Sequence, residues 1–357
     1  MTVRTCLVTG GAGFIGCALS SQLADDFDRV IAIDSLLPQV HAEQQRPADL
    51  DERVEFVHGD VADATTWDAL LADGNVKPNV IIHLAAETGT GQSLTEATRH
   101  ATANVTGTTE MLDALVRYEA IPELIVLTSS RAVYGEGAWA DADGKVTYPG
   151  QRSSAMFEAG KWDFDGLKPL PFESTTVWPH PTSVYGATKL AQEHILTSWC
   201  LAFGVTPVLY RLQNVYGPGQ SLSNPYTGIV PFFGQVAKRG DQIPVYEDGE
   251  IVRDFVFIDD VASSILAGIR EGKANTDPYD IGSGEGTTIL ELATIISEYY
   301  GSPAPTITGQ YRNGDVRAAV GIIDRPKAAL GWEPKVPVRE GVIRLLKWID
   351  GEAASDN

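Results

Sequence analysis

Five short apolar runs, each separated from the next by a longer stretch, constrain the fold of this chain most. They are "TCLVTG", "RVIAID", "VEFVHGD", "NVIIHLAA" and "LIVLTSS". Each is continuous and rich in Val, Ile and Leu. A strand with one wet face would alternate; these read as strands covered on both faces. A long amphipathic segment, roughly residues 93–119, joins the fourth run to the fifth. Another helical pattern, near residues 182–203, precedes a further strand, "VTPVLYRL". Parallel strands need long crossovers, so this order predicts an α/β chain with a doubly wound parallel sheet.

At 357 residues the chain exceeds one ordinary core, and two lobes are expected. The strand–helix pattern covers residues 1–215, with 252–272 expected to return to that lobe. Residues 216–251 and 273–357 mix short helices and strands and read as a smaller α/β substrate-binding lobe. "VYGPGQSLSNPYTG" reads as loop, and residues 137–172, polar and aperiodic, as an inserted loop.

The charge balance narrows the partners. With 27 basic and 47 acidic residues the net charge is −20. Such a surface repels nucleic acid and anionic membranes, so neither is expected as a partner. Cys6, Cys17 and Cys200 show no metal-binding spacing. No leader pattern precedes the first strand and no run approaches a membrane span. Reduced thiols and a cytoplasmic location are expected.

"VTGGAGFIG" places Gly10, Gly13 and Gly16 between a strand and a helix. Glycine there permits a tight turn and close approach of backbone to a pyrophosphate at the helix N-terminus. The pattern is the one expected of a Rossmann-type dinucleotide site. Asp34 ends the second strand, where a carboxylate accepts from ribose hydroxyls and repels a 2′-phosphate, so NAD is expected rather than NADP. Asp60 ends the third strand and is a candidate adenine contact. Phe14, Ile15 and Val61 flank these positions.

Tyr185 and Lys189 are spaced Y-x-x-x-K, which puts phenol and ammonium on one helix face. A tyrosine acting as base near neutral pH needs a lowered pKa, and a neighbouring cation favours phenolate. Ser130, closing the fifth strand, supplies a hydroxyl.

These motifs resemble the extended short-chain dehydrogenase/reductases of the nucleotide-sugar epimerase/dehydratase type, over nearly the whole chain. The resemblance implies a catalytic triad of Ser130, Tyr185 and Lys189. It matches Leu84, Ala85 and Ala86 of "HLAA" and Asn104 to the cofactor side. It assigns Asn214 of "RLQNVYGPGQ", Arg253 of "RDFVFIDD", and Arg312 and Asp315 of "YRNGD" to a nucleoside-diphosphate sugar. Glu87, Thr88, Gln92 and Ser93 are candidate sugar-facing groups, with Arg131 beside the triad serine. A homodimer through the helices near residues 93–119 and 182–203 is also implied.

The family's reactions open alike, by oxidation at the sugar's C4. A 4,6-dehydratase of this type then uses an Asp-Glu pair directly after the hydroxyl residue. This chain has Arg131-Ala132, and neither can exchange protons at pH 7, so a 4-epimerase is expected. Within that class, "SSRAVYGEG", "QNVYGPGQSLSNPYTGI" and "EDGEIVRDFV" resemble dTDP-L-rhamnose 4-epimerases, which favours a dTDP-sugar. UDP-glucose epimerisation and 4-ketohexose reduction remain open.

Overall fold

The structure is a computed structural model and describes residues 3–41, 43–222 and 228–355. The central part of the "SLSNPYTG" motif, residues 223–227, lies outside the described residues. The chain divides into two compact units. One comprises Met1–Ser130, Val184–Arg211 and Ala262–Pro278; the other comprises Arg131–Ser183, Leu212–Val261 and Tyr279–Asn357.

Six strands of the central sheet belong mainly to the first unit: β1 (Thr5–Thr9), β2 (Arg29–Asp34), β3 (Glu55–His58), β4 (Val80–His83), β5 (Leu124–Ser130) and Thr206–Leu212. They stand in the order β3-β2-β1-β4-β5, with the Thr206 strand outside β5. The β1–β2, β1–β4, β2–β3 and β4–β5 pairs are all parallel. β2 and β4 therefore flank β1 and end at the same edge. Helices α1 (Phe14–Asp26), α2 (Ala64–Leu71), α3 (Ala97–Ala101) and α4 (Gly107–Arg117), with the long helix Val184–Phe203, accompany the sheet.

Leu7, Ile31, Ile81, Ile125 and Leu127 from the strands share one core cluster with Trp67, Met111, Leu115 and Leu196 from helices. Burial of these runs explains their lack of alternation. The segment expected as one helix over 93–119 is subdivided. A single 3₁₀ turn covers Gln92–Leu94, and between α3 and α4 lies a π-helical turn, Thr102–Thr106. Such widened turns often serve functional positions, and Asn104 lies in this one.

The second unit is assembled from short pieces. Val252–Arg253 pairs with Thr287–Thr288 and Ala318–Ala319, and Pro244–Val245 pairs with Thr306–Ile307. Helices Ile229–Lys238, Ile289–Tyr300 and Val338–Ser355 are the longest that lie wholly within it. Residues 137–172 differ from the loop expected. Trp139–Ala140 pairs with both Val146–Thr147 and Lys168–Pro169, and a short helix follows at Ser154–Glu158, capped by Ser153. Trp139, Arg152, Phe157 and Phe172 are buried. The Arg152 guanidinium donates to both carboxylate oxygens of Glu247, at 2.7 and 3.0 Å, and to the carbonyls of Trp162 and Asp315. A buried charge persists only when paired in this way. One buried cation among polar residues leaves no hydrophobic period to read, which is why the segment looked structureless.

Candidate active site

The glycine turn is built for close approach. Gly10 has φ +67°, and a Cβ there would stand 2.7 Å from the Ala85 nitrogen. A Cβ on Gly16 would meet the Gly11 carbonyl oxygen at 2.4 Å. No side chain fits at either position without displacing backbone. Gly13 caps α1 in an extended conformation and makes no side-chain capping bond to that helix end. Asp34 holds the turn in place: its carboxylate accepts from the Ala12 amide at 3.1 Å and the Leu36 amide at 2.9 Å. The Leu84 amide bonds to the Thr9 carbonyl, and the Ala85 amide to the Thr9 hydroxyl. Phe14 and Ile15 open α1. Asp60 is exposed and accepts from the Ala62 amide, and Val61 is buried, its carbonyl taking the Trp67 indole N–H. A helix end with no side-chain capping bond, a side-chain-free turn and a carboxylate at the end of β2 fit the dinucleotide expected from the sequence.

Ser130, Tyr185 and Lys189 all lie in the first unit. Ser130 ends β5 half-buried, and Tyr185 is half-buried in the first turn of the Val184–Phe203 helix. One turn on, Lys189 is 2% exposed. Burial pulls its ammonium down to about 7, against a weaker upward pull from Glu193. Charge on Lys189 is therefore sensitive to conditions near neutrality.

Asn104 ties this helix to the sheet. Its amide oxygen accepts from the Glu87 N–H at 2.8 Å, and its nitrogen donates to the Glu87 carbonyl and the Thr188 hydroxyl. The Thr188 hydroxyl in turn donates to the Tyr185 carbonyl at 2.8 Å. The widened turn around Asn104 thus links the segment after β4 to the tyrosine helix. Beneath it, His83 is fully buried, with one ring nitrogen 2.7 Å from the Thr9 hydroxyl and the other 2.9 Å from that of Thr108. Burial first, and Lys189 second, drive its pKa down to about 3, so the imidazole is neutral. The next pair along the helix is Glu193 and Arg211, buried at 2.7 Å, with the Ser129 hydroxyl donating to Glu193.

Sequence reading missed His83, Thr188, Glu193 and Arg211 as parts of this framework. Thr188 and Glu193 had a signal, since each lies three or four residues from Tyr185 or Lys189 on the helix. Arg211 had none; its partner is fixed only by the sheet. His100 was missed too. It packs edge-on to Tyr185 with ring centroids 6.5 Å apart, and one ring nitrogen reaches the Thr88 carbonyl.

The other predicted residues fall into two groups. In the first unit, Glu87 pairs with Arg99 at 2.8 Å and Thr88 is exposed. Gln92 and Ser93 are buried and bonded internally, Gln92 to Gln39 and Glu96, and Ser93 to the Thr90 carbonyl. In the second unit, Arg131 donates to the Asn214 side-chain oxygen at 3.0 Å. Arg253 pairs with Asp315 at 2.5 Å. Arg312 is exposed, its guanidinium 5.3 Å from the Tyr246 ring centroid. Cys200 is buried, and its thiol is pushed up to about 12 by that burial, which removes it as a proton donor or acceptor at neutral pH.

The profile of the NAD dependent epimerase/dehydratase family matches residues 6–282, and this chain belongs to that family. It is 54% identical, over 98% of its length and 96% of the relative's, to a dTDP-L-rhamnose 4-epimerase of Burkholderia thailandensis. A UDP-glucose 4-epimerase of Mycolicibacterium smegmatis is 30% identical over 96% of this chain and 97% of that one. Among solved structures, a Thermotoga maritima UDP-glucose 4-epimerase with UDP-glucose aligns with TM-score 0.80 and 28% identity, covering 98% of this chain and all of that one. The Thermus thermophilus UDP-glucose 4-epimerase in complex with NAD aligns with TM-score 0.77 and 28% identity, over 98% and 99% of the two chains.

Proposed function

We propose that this chain is an NAD-dependent nucleoside-diphosphate-sugar 4-epimerase that interconverts dTDP-L-rhamnose and dTDP-6-deoxy-L-talose. The 54% identity to a dTDP-L-rhamnose 4-epimerase, spanning 98% of the chain, carries the reading. Arg131-Ala132 supports it, since neither side chain can serve as acid or base for loss of water.

Gly10, Gly13 and Gly16 receive the pyrophosphate of NAD, and Asp34 receives its adenosine ribose. When bound, NAD would supply the hydride acceptor for C4 of the sugar and the donor for its return to the opposite face. Tyr185 takes the proton from the C4 hydroxyl, and Ser130 donates a hydrogen bond to the same oxygen as charge develops there. Lys189 stabilises the phenolate while it carries its proton. His83, neutral and bonded on both ring nitrogens, holds the framework under Lys189 and takes no part in proton transfer. Glu87 and Thr88 face the sugar, while Gln92 and Ser93 hold the loop that carries them. Arg131, Asn214, Arg253, Arg312 and Asp315 serve the diphosphate and nucleoside. The protein acts as a cytoplasmic homodimer that pairs the helical segments near residues 93–119 and 182–203.

A second reading, UDP-glucose 4-epimerisation, is favoured by the 30% identical relative and by the UDP-glucose-bound neighbour. Incubation with dTDP-, UDP-, CDP- and GDP-sugars, read by proton NMR for inversion at C4, separates the two. Inversion of dTDP-L-rhamnose without net NADH is the expected result; inversion of UDP-glucose alone would transfer the assignment to the second reading.

A further inference from the structure

We infer that Gln39, Gln92, Glu96 and Arg99 form a side-chain latch across the dinucleotide groove that keeps bound NAD from exchanging. The inference rests on the NAD site proposed above. β1 lies between β2 and β4 in the sheet, and its glycine turn emerges between their ends. Gln39 belongs to the segment after β2, five residues beyond Asp34. Gln92 belongs to the segment after β4, six residues beyond Ala86. Bonds joining those segments therefore tie the chain leaving β2 to the chain leaving β4, the two strands on either side of the strand that carries the glycine turn.

Such bonds are present and reciprocal. The Gln39 amide donates to the Gln92 oxygen at 3.1 Å, and the Gln92 amide donates back to the Gln39 oxygen at 3.0 Å. Gln92 also donates to both carboxylate oxygens of Glu96 at 3.1 Å. Arg99 locks the set. Its Nη2 donates to the Gln39 oxygen at 2.9 Å, its Nη1 to Glu96 at 2.8 Å and its Nε to Glu87 at 2.8 Å. Every N–H-bearing nitrogen of that guanidinium is engaged, so it is a rigid anchor and not a mobile surface charge. Gln92 is 4% exposed, and a buried amide left unpaired is costly, which keeps the pair shut. An epimerase that regenerates its own NAD gains from retaining it, since a released cofactor strands a keto sugar. The four residues are positioning groups; none of them touches reacting atoms.

The test is the rate of NAD release. Protein loaded with NAD is mixed with a large excess of fluorescent etheno-NAD, and exchange is followed by filtration and by emission. Gln39→Leu and Gln92→Leu should each release NAD at least tenfold faster than the parent. Their double variant should release it more slowly than the product of the two single effects, because both break one shared pair. Gln39→Glu keeps an acceptor for Arg99 and for the Gln92 amide, and should stay within about threefold of the parent. It also covers the case in which Gln92→Leu fails to fold, since the contrast between Gln39→Leu and Gln39→Glu needs neither Gln92 variant. Equal release from parent and Gln39→Leu, or equally fast release from Gln39→Leu and Gln39→Glu, overturns the latch and leaves the NAD site standing. Failure of the parent to bind any dinucleotide overturns the reading on which the latch rests.

Discussion

Replacing Lys189 by methionine isolates the cost of burying its ammonium. Lys189 is 2% exposed, and burial brings its pKa from an ordinary 10.5 to about 7 in the folded chain. At 1.36 kcal/mol for each tenfold change in proton affinity, holding the charged form below pH 7 costs about 5 kcal/mol. The sign follows from proton binding. Between pH 7 and about 10 the unfolded chain keeps this proton and the folded chain releases it, so stability rises with pH over that window. From pH 7 to pH 9 the gain is about 2 kcal/mol, because at pH 7 the folded group is still half protonated. Methionine has similar length and no proton, so Lys189→Met lacks this gain. Urea unfolding of both NAD-free proteins at pH 6, 7.5 and 9 tests the reasoning. The variant should be the more stable by several kcal/mol at pH 6, and its advantage should shrink by about 3 kcal/mol by pH 9. An advantage constant across that range would mean that Lys189 is not desolvated as the structure has it. The same replacement should abolish most turnover, because the phenolate of Tyr185 then loses the Lys189 ammonium one helical turn away.

Three further outcomes are expected. Tyr185→Phe keeps the ring and loses the proton acceptor, so turnover should fall by ~10²–10⁴-fold with NAD content unchanged; steady-state assays and released-nucleotide analysis read both. Glu193→Ala leaves Arg211 buried without its carboxylate and should cost about 3–5 kcal/mol of stability, seen as a lowered urea midpoint. Sedimentation at micromolar concentration should give a homodimer, and a monomer would remove the helix pairing from the account.

The sheet was legible in the sequence because its strands are buried on both faces, which leaves uninterrupted runs such as "NVIIHLAA". The glycine turn was legible because only glycine tolerates the Gly10 conformation and the contact between Gly16 and Gly11. Tyr185 and Lys189 were legible because helix geometry fixes their relation four residues apart. What the sequence hid depends on partners brought together by the sheet. The Glu193–Arg211 pair joins residues from different elements. Asn104 sits in a π turn that no residue pattern announces. Arg152 is a buried cation whose carboxylate partner Glu247 and whose Asp315 carbonyl contact lie 95 and 163 residues away. The partners of Gln92 and Ser93, expected among the sugar-facing groups, were hidden as well: Gln92 donates to Gln39 and Glu96, and Ser93 to the Thr90 carbonyl.

The central claim is inversion at C4 by oxidation and return, with no enolisation and no loss of water. It is tested most directly by running the reaction with dTDP-L-rhamnose in heavy water and following the sugar protons by NMR. The expected product is the C4 epimer at the same oxidation level, with no deuterium at C3, C4 or C5, since no carbon-bound proton passes through solvent. Deuterium at C3 or C5, or formation of a 4-keto-6-deoxy sugar from dTDP-glucose, would show an acid–base pair at work that Arg131 and Ala132 do not supply, and would contradict the account.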